Sequence, residues 1–69
     1  MKTYIVNQNI KRIVKERRLR PFEVERRAGM KAGVVSRIMS GKRKVYADEV
    51  IPIAMALGVK IEELFESVG

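Results

Sequence analysis

Residues 21–41, PFEVERRAGMKAGVVSRIMSG, carry the pattern that decides the fold of this chain. Val24 and Ala28 are four residues apart, so they share one face of a helix that Pro21 can begin. Gly29 follows at once, and a glycine can take the positive φ that ends a helix in a tight turn. A second apolar series follows, and the closing glycine ends it. The stretch therefore predicts a helix, a turn and a second helix.

The second helix of this stretch, expected over about residues 32–40, has one apolar and one polar side. Val34, Val35 and Ile38 follow the spacing of a buried helical face. The outward residues are small or basic, with no acid among them: Lys31, Ala32, Gly33, Ser36 and Arg37. Such a helix can lie in the major groove of DNA. Because Gly33 costs a helix about 1 kcal/mol relative to alanine, either the helix begins after it or the backbone there approaches DNA.

Charge is unevenly distributed along the 69 residues, whose net charge is +7. Residues 1–44 carry 14 Lys and Arg against 3 acids, whereas residues 45–69 carry 1 Lys against 5 acids. This asymmetry indicates a polyanionic partner on one side of the molecule. An ordinary solubilising surface is the alternative interpretation of the same charges.

Composition argues against several classes of function. The chain has no histidine and no cysteine, which removes the commonest metal ligands, the usual general base and the thiolate nucleophile. It also has no glycine-rich phosphate loop. We expect no enzymatic activity, no metal and no cofactor.

The ends and the apolar content of the chain predict a cytoplasmic protein without membrane contact. The N-terminus MKTYIVNQNI lacks the pattern of a signal peptide, and the run VIPIAMALGV is about half as long as a bilayer span. We expect one domain over residues 1–69, with a loose leader at 1–5 and a tail at 67–69. Because no second domain is expected, we expect no small-molecule ligand.

Three further helices are predicted around the central pair. The first covers about residues 7–17 and the fourth about 47–57, where Pro52 predicts a kink or a restart. The fifth covers about residues 61–66. Their apolar positions repeat at helical spacing: Val6, Ile10, Ile13 and Val14, then Val50, Ile53, Ala54 and Leu57, then Ile61, Leu64 and Phe65. Without any strand pattern, the chain is predicted to be an all-α bundle of five short helices.

The chain resembles the phage-repressor and Cro-type helix-turn-helix DNA-binding domains, a group of regulators with a lambda-repressor-like fold of four or five helices. The resemblance covers about residues 6–66. It rests on Gly29 at the turn, GKR at 41–43 and IAMALGVKIEELF at 53–65. The other matching positions are Ile10, Ile13, Leu19, Val35, Ser36, Arg37 and Ile38.

Three positions depart from the family pattern. Where Pro21 stands the family usually has a DNA-contacting glutamine, so that contact should be missing or taken over by Arg20. Where Glu25 stands the family prefers alanine, so this glutamate is expected to lean outward or to meet a cation. Where Tyr46 stands the family has a serine or threonine cap, so the start of the fourth helix is expected to differ from that of the family.

A paired departure joins the first and third helices. The family often has an arginine and a glutamate, as an ion pair, where this chain has Val14 and Met39. Replacing a buried ion pair by matched apolar groups is often neutral or stabilising. We therefore predict direct contact between Val14 and Met39.

The resemblance implies that the third helix lies in the major groove of double-stranded DNA. Base contacts are expected from Arg37, Lys31, Ala32, Gly33 and Ser36. The fork of Arg37 matches the two acceptors of guanine, although a phosphate contact is the alternative for Arg37 and Lys31, and solvent exposure alone for Ser36. Phosphate contacts are expected from Arg20, Lys42, Arg43 and Lys44, with Arg12 and Arg18 as weaker candidates.

The function that follows is a sequence-specific transcriptional regulator, most simply a repressor. A domain of this size covers little DNA, so a homodimer on an inverted-repeat operator is expected. Phe65 and Val68, or Tyr4 and Ile5, are the candidate dimer contacts. Two alternatives remain: a protein-binding module on the same fold, such as an antitoxin or adaptor, and a non-specific nucleic-acid binder.

Overall fold

The computed structural model describes residues 5–67, and in this range the chain forms five helices and no strand. The helices are α1 (Ile5–Glu16), α2 (Pro21–Ala28), α3 (Val34–Met39), α4 (Ala47–Leu57) and α5 (Ile61–Leu64). The all-α prediction is confirmed. None of these helices has the length and apolarity that crossing a bilayer requires. The predicted dimer contacts Tyr4 and Val68 lie outside the described residues.

Three helix boundaries differ from those expected. Helix α1 begins at Ile5, so this residue does not belong to a loose leader. Helix α3 begins only at Val34, because Gly33 has a φ of 88°, far from helical values; of the two interpretations of this glycine, the one in which the helix begins after it is confirmed. Helix α5 stops at Leu64 rather than near residue 66, since the backbone at Phe65 turns to a φ of −108°.

One apolar core joins the helices. Helix α1 packs against α3 and α5, and helix α2 packs against α3 and α4. The buried apolar side chains are Ile10, Ile13, Val14, Val24, Val34, Val35, Ile38, Ile53, Ala54, Ala56, Leu57 and Leu64. Val14 is thus buried and Met39 packs against the same core, but their direct contact stays a prediction.

The predicted apolar face of α5 is largely exposed. Leu64 is fully buried, whereas Ile61 and Phe65 are 39% and 52% exposed. A helix of four residues makes about one turn, so only one of its side chains points directly into the core. The predicted apolar face is therefore only partly buried: Leu64 faces the core, whereas Ile61 and Phe65 remain exposed.

Two buried asparagines tie α1 to distant segments. Asn7 Nδ2 donates hydrogen bonds to the carbonyl oxygens of Ile38 at 2.8 Å and Arg43 at 2.7 Å. Asn9 Nδ2 donates to the carbonyl oxygens of Leu64 at 2.8 Å and Glu66 at 2.9 Å. These carbonyls follow or end helices, where the backbone lacks helical partners. The asparagines therefore hold the ends of α3 and α5 against α1.

Helix α4 begins where it was expected to begin, although Tyr46 offers no side-chain cap. The Glu49 carboxylate accepts the Tyr46 N–H at 2.9 Å and so satisfies the backbone before the first turn. The helix then continues through Pro52, so the predicted restart there is wrong. Pro52 leaves the carbonyl of Asp48 without a helical donor, but Asp48 lies on the exposed side, where water can supply one.

Candidate nucleic-acid interface

Helices α2 and α3 form the predicted helix-turn-helix. Gly29 ends α2 with a φ of 71°, and the Met30 N–H donates to the carbonyl oxygen of Glu25 at 2.8 Å. The chain then runs to Gly33, whose φ of 88° redirects the backbone into α3. Both positions lie in the left-handed region that favours glycine, which explains why the turn carries two glycines.

The outward side of α3 and of the turn before it is polar and small, as the sequence predicts. Val34, Val35 and Ile38 are buried, whereas Lys31, Ala32, Ser36 and Arg37 are exposed and Gly33 is half-buried. Each of the five predicted base-contact residues thus retains solvent-accessible surface. The structure brings them together on the turn and the first two turns of one helix.

The side chain of Arg37 runs back toward the beginning of α3. A methyl group built on Gly33 would lie 3.4 Å from Arg37 Nη1, so the guanidinium lies beside the glycine backbone. Helical side chains point toward the helix N-terminus, which accounts for this direction. In helix-turn-helix proteins it is the N-terminal part of the recognition helix that meets the base edges. The glycine leaves room for the arginine at that end.

Among residues 5–67, Glu25 neither leans outward nor meets a cation, so that expectation is wrong. Its side chain is buried, and Oε2 accepts a hydrogen bond from the backbone N–H of Val35 at 2.9 Å. Val35 lies in the first turn of α3, where backbone N–H groups have no partner inside the helix. A backbone donor thus takes the place of the expected cation, and α2 is hydrogen-bonded to α3.

The loop after α3 contains three consecutive cations with different surroundings. Lys42 and Lys44 are exposed. Arg43 is half-buried and makes two hydrogen bonds to the Glu49 carboxylate, at 2.9 and 2.8 Å, while its guanidinium lies 5.1 Å from the ring centre of Tyr46. The hydrogen bond from Arg43 holds the pKa of Glu49 below its ordinary value and raises the pKa of Arg43. Arg43 therefore anchors the loop to α4.

The remaining predicted phosphate contacts lie on α1 or between α1 and α2. Arg20 and Arg18 are exposed. Arg12 is partly buried and donates to Glu16 at 3.2 Å and to Asn9 Oδ1 at 3.4 Å. The guanidinium of Arg12 is therefore hydrogen-bonded within the protein, whereas Arg18 and Arg20 are exposed to solvent.

A groove beside the end of α3 contains residues that sequence reasoning missed. It has a volume of about 400 Å³ and is lined by Asn7, Gln8, Lys11, Met39, Ser40 and Gly41. Gln8 and Lys11 are exposed. They line the groove together with Ser40 and Gly41 of the turn after α3. No local pattern could have found this pairing, because only the packing of α1 on α3 brings the two segments together.

Within residues 5–67, no cluster of three or more acids is arranged to hold a metal ion. The model of one protein family, described as the Cro/C1-type HTH DNA-binding domain, matches residues 9–68. The match includes α2, α3 and the cationic loop. No curated protein and no solved structure matches the chain significantly.

Proposed function

The chain belongs to the family of Cro/C1-type helix-turn-helix DNA-binding domains, and on that premise we propose that it represses transcription by binding a specific DNA site. The family is one of DNA-binding regulators rather than enzymes. Sequence specificity and repression are the proposed refinements. The main support is the outward side of α3 and of the turn before it, where small residues are exposed or half-buried and the Arg37 guanidinium lies beside Gly33 at the N-terminal end of the helix.

In the proposed complex, α3 lies in the major groove. Arg37 donates two hydrogen bonds to a guanine, and Ala32 and Gly33 allow close approach to the base edges. Ser36 and Lys31 make additional contacts to bases or to the flanking phosphates. This arrangement is favoured by the absence of any acid between residues 26 and 47.

Phosphate contacts come from both sides of α3. Lys42 and Lys44 in the loop and Arg20 before α2 are exposed cations that flank the recognition helix in the chain. Lys11 and Gln8 add a contact beside Ser40. Such contacts fix the register on the duplex and make affinity depend on salt, without carrying sequence information themselves. The pairing of Arg43 with Glu49 favours a supporting role for that arginine.

We propose that two copies bind an inverted repeat. An apolar groove of about 500 Å³, formed by α4, α5 and neighbouring residues, is the surface that a second copy would cover. It contains the exposed side chains of Ile51 and Phe65 and the half-buried Val6 and Val45. None of its lining residues is a proposed DNA contact, so pairing through this groove leaves both recognition helices free. A cytoplasmic location belongs to the same proposal.

Selection from a random duplex pool at physiological salt tests the proposal. An enriched inverted repeat, with half-sites about one helical turn apart, is the expected result. On the enriched site Arg37→Ala should lose ~1–3 kcal/mol of discrimination per base contact, while Lys60→Ala, which changes an exposed cation before α5, should lose none. A reporter gene behind the enriched site should be transcribed less when the protein is present.

Two results would contradict specific binding. Binding that enriches no sequence and disappears as salt rises would indicate a non-specific nucleic-acid binder. No DNA binding at physiological salt, together with a stable protein partner, would indicate a protein-binding module. A monomer on a single half-site would contradict only the dimer.

A further inference from the structure

The beginning of α3 depends on contacts from outside the helix. Helix α3 has six residues, and isolated helices of that length are not stable in water. Gly33 stands at the N-cap and has no side chain that could accept a hydrogen bond from the first turn. The carbonyl oxygen of Lys31 accepts the Val34 N–H at 3.3 Å, which leaves the next donor, the Val35 N–H, for another partner.

Glu25 is that partner. Its Oε2 lies 2.9 Å from the Val35 nitrogen, and the residue is only 4% exposed. A hydrogen bond to a carboxylate is shorter and stronger than one between neutral groups. It is also directional, whereas the burial of apolar side chains such as Val24 and Val35 is not. The carboxylate therefore fixes one backbone atom of α3 relative to α2.

The charge of Glu25 does not itself favour DNA binding. A carboxylate close to a phosphate-binding surface opposes the approach of a polyanion. Glu25 is moreover the last acid in the sequence before Asp48, so it is an exception in a basic and neutral segment. What the carboxylate contributes is a fixed acceptor. Arg37 lies two residues beyond Val35, so a shift of the Val35 backbone would move the guanidinium too.

We propose that Glu25 is a positioning residue for DNA reading, whose hydrogen bond to Val35 sets the orientation in which Arg37 meets the bases. The inference rests on the proposed function. It implies that Glu25 affects discrimination between DNA sites more than it affects general affinity for DNA. Phosphate contacts from Lys42 and Lys44 tolerate small rotations of α3, whereas bidentate hydrogen bonds to a base do not.

Three substitutions separate the acceptor from the charge. Glu25→Gln keeps an oxygen at full reach and removes the charge, whereas Glu25→Asp keeps the charge and shortens the reach by one methylene. Glu25→Ala removes both. Glu62→Ala is the matched control, because Glu62 is exposed on α5 and its loss changes the net charge equally. Dissociation constants are measured for the duplex enriched by the wild type and for a shuffled duplex of the same composition.

The expected result is a change in the ratio of the dissociation constant for the shuffled duplex to that for the enriched duplex. Glu25→Asp and Glu25→Ala should lower this ratio by about tenfold or more, while Glu25→Gln and Glu62→Ala keep it within about threefold. Binding to the shuffled duplex should differ little between Glu25→Ala and Glu62→Ala. An unchanged ratio in Glu25→Asp, or a loss in Glu25→Gln as large as that in Glu25→Ala, would overturn the proposal.

Amide hydrogen exchange provides a measurement that does not require DNA. The Val35 amide should exchange slowly in the wild type and in Glu25→Gln, and about tenfold faster in Glu25→Asp, while the Ile38 amide stays protected in all three. A wild type that selects no duplex but protects Val35 would contradict the proposed function alone. Rapid exchange at Val35 in the folded wild type would overturn the positioning role, whatever DNA the protein binds.

Discussion

The guanidinium of Arg43 holds the Glu49 carboxylate through two hydrogen bonds, of 2.9 and 2.8 Å. This pair closes the loop between α3 and α4, because the same carboxylate also accepts the Tyr46 N–H. The bond from Arg43 lowers the pKa of Glu49 below its ordinary value of 4.5. Since the folded protein holds the ionised form more tightly than the unfolded chain does, the pair stabilises the fold fully above pH 4.5.

The pair therefore predicts an acid-sensitive contribution to stability. Glu49→Gln should lower the free energy of unfolding by about 1–2 kcal/mol at pH 7, because a partly buried charged hydrogen bond is lost. The difference from the wild type should shrink as the pH falls through the lowered pKa of Glu49. Urea denaturation of the wild type and of Glu49→Gln at pH 7 and at pH 3 measures this difference in the free energy of unfolding at each pH. Glu62→Gln serves as the exposed control, and a difference that does not depend on pH would count against the pair.

Arg18 has a backbone conformation that should favour glycine over alanine. It is the only non-glycine residue with a positive φ, 53°, in the described range, and it ends α1 where glycine is usual. The left-handed conformation costs a residue with a side chain roughly 1–2 kcal/mol, and glycine avoids this cost. Part of the gain is cancelled because glycine loses more conformational entropy on folding. Arg18→Gly should therefore be more stable than Arg18→Ala by roughly 1 kcal/mol. Thermal unfolding should give a higher Tm for the glycine variant, and equal Tm values would contradict strain at this residue.

Asn9 is expected to contribute to stability through its two carbonyl partners. Asn9→Ala leaves the carbonyl oxygens of Leu64 and Glu66 without their donor, and the first of these bonds is buried. The loss should be about 1–3 kcal/mol in the free energy of unfolding, measured by urea denaturation. Gln8→Ala, on the same helix but exposed, should change it by less than about 0.5 kcal/mol. If both variants were equally stable, the asparagine would not be holding α5 in place.

The central helix-turn-helix was predictable because its signals are local. The four-residue spacing of Val24 and Ala28 and the glycine at 29 lie within one short window, and the buried series from Val34 to Ile38 lies in the next. Each signal reports a helix face or a turn that its own neighbours determine. The start of α3 was misplaced by two residues because a glycine at 33 is compatible with a weak helix as well as with a turn.

The polar contacts were not predictable, because each joins side chains or backbone groups of different segments that only folding brings together. Asn9 meets the Leu64 carbonyl 55 residues away, and Glu25 meets Val35 across the turn. Asparagine and glutamate are usually solvent-exposed, so neither residue type by itself indicates a buried hydrogen bond. The sequence also could not show that Arg43 is paired while Lys42 and Lys44 are exposed, since only folding brings Glu49 next to one of these three adjacent cations.

The different surroundings of Lys42, Arg43 and Lys44 predict different effects of their substitution on DNA binding and on stability. Lys42→Ala and Lys44→Ala should each reduce the slope of log affinity against log salt by about 1, without changing which duplex is preferred, because each substitution removes a proposed phosphate contact. Arg43→Ala should mainly lower the free energy of unfolding, because it leaves the partly buried Glu49 without its cation. Fluorescence titrations at several salt concentrations and urea denaturation separate the two effects. Lys60→Ala, the exposed control before α5, should change neither the salt slope nor the free energy of unfolding. If Arg43→Ala were as stable as the wild type and reduced the salt slope by about 1, this arginine would bind phosphate instead.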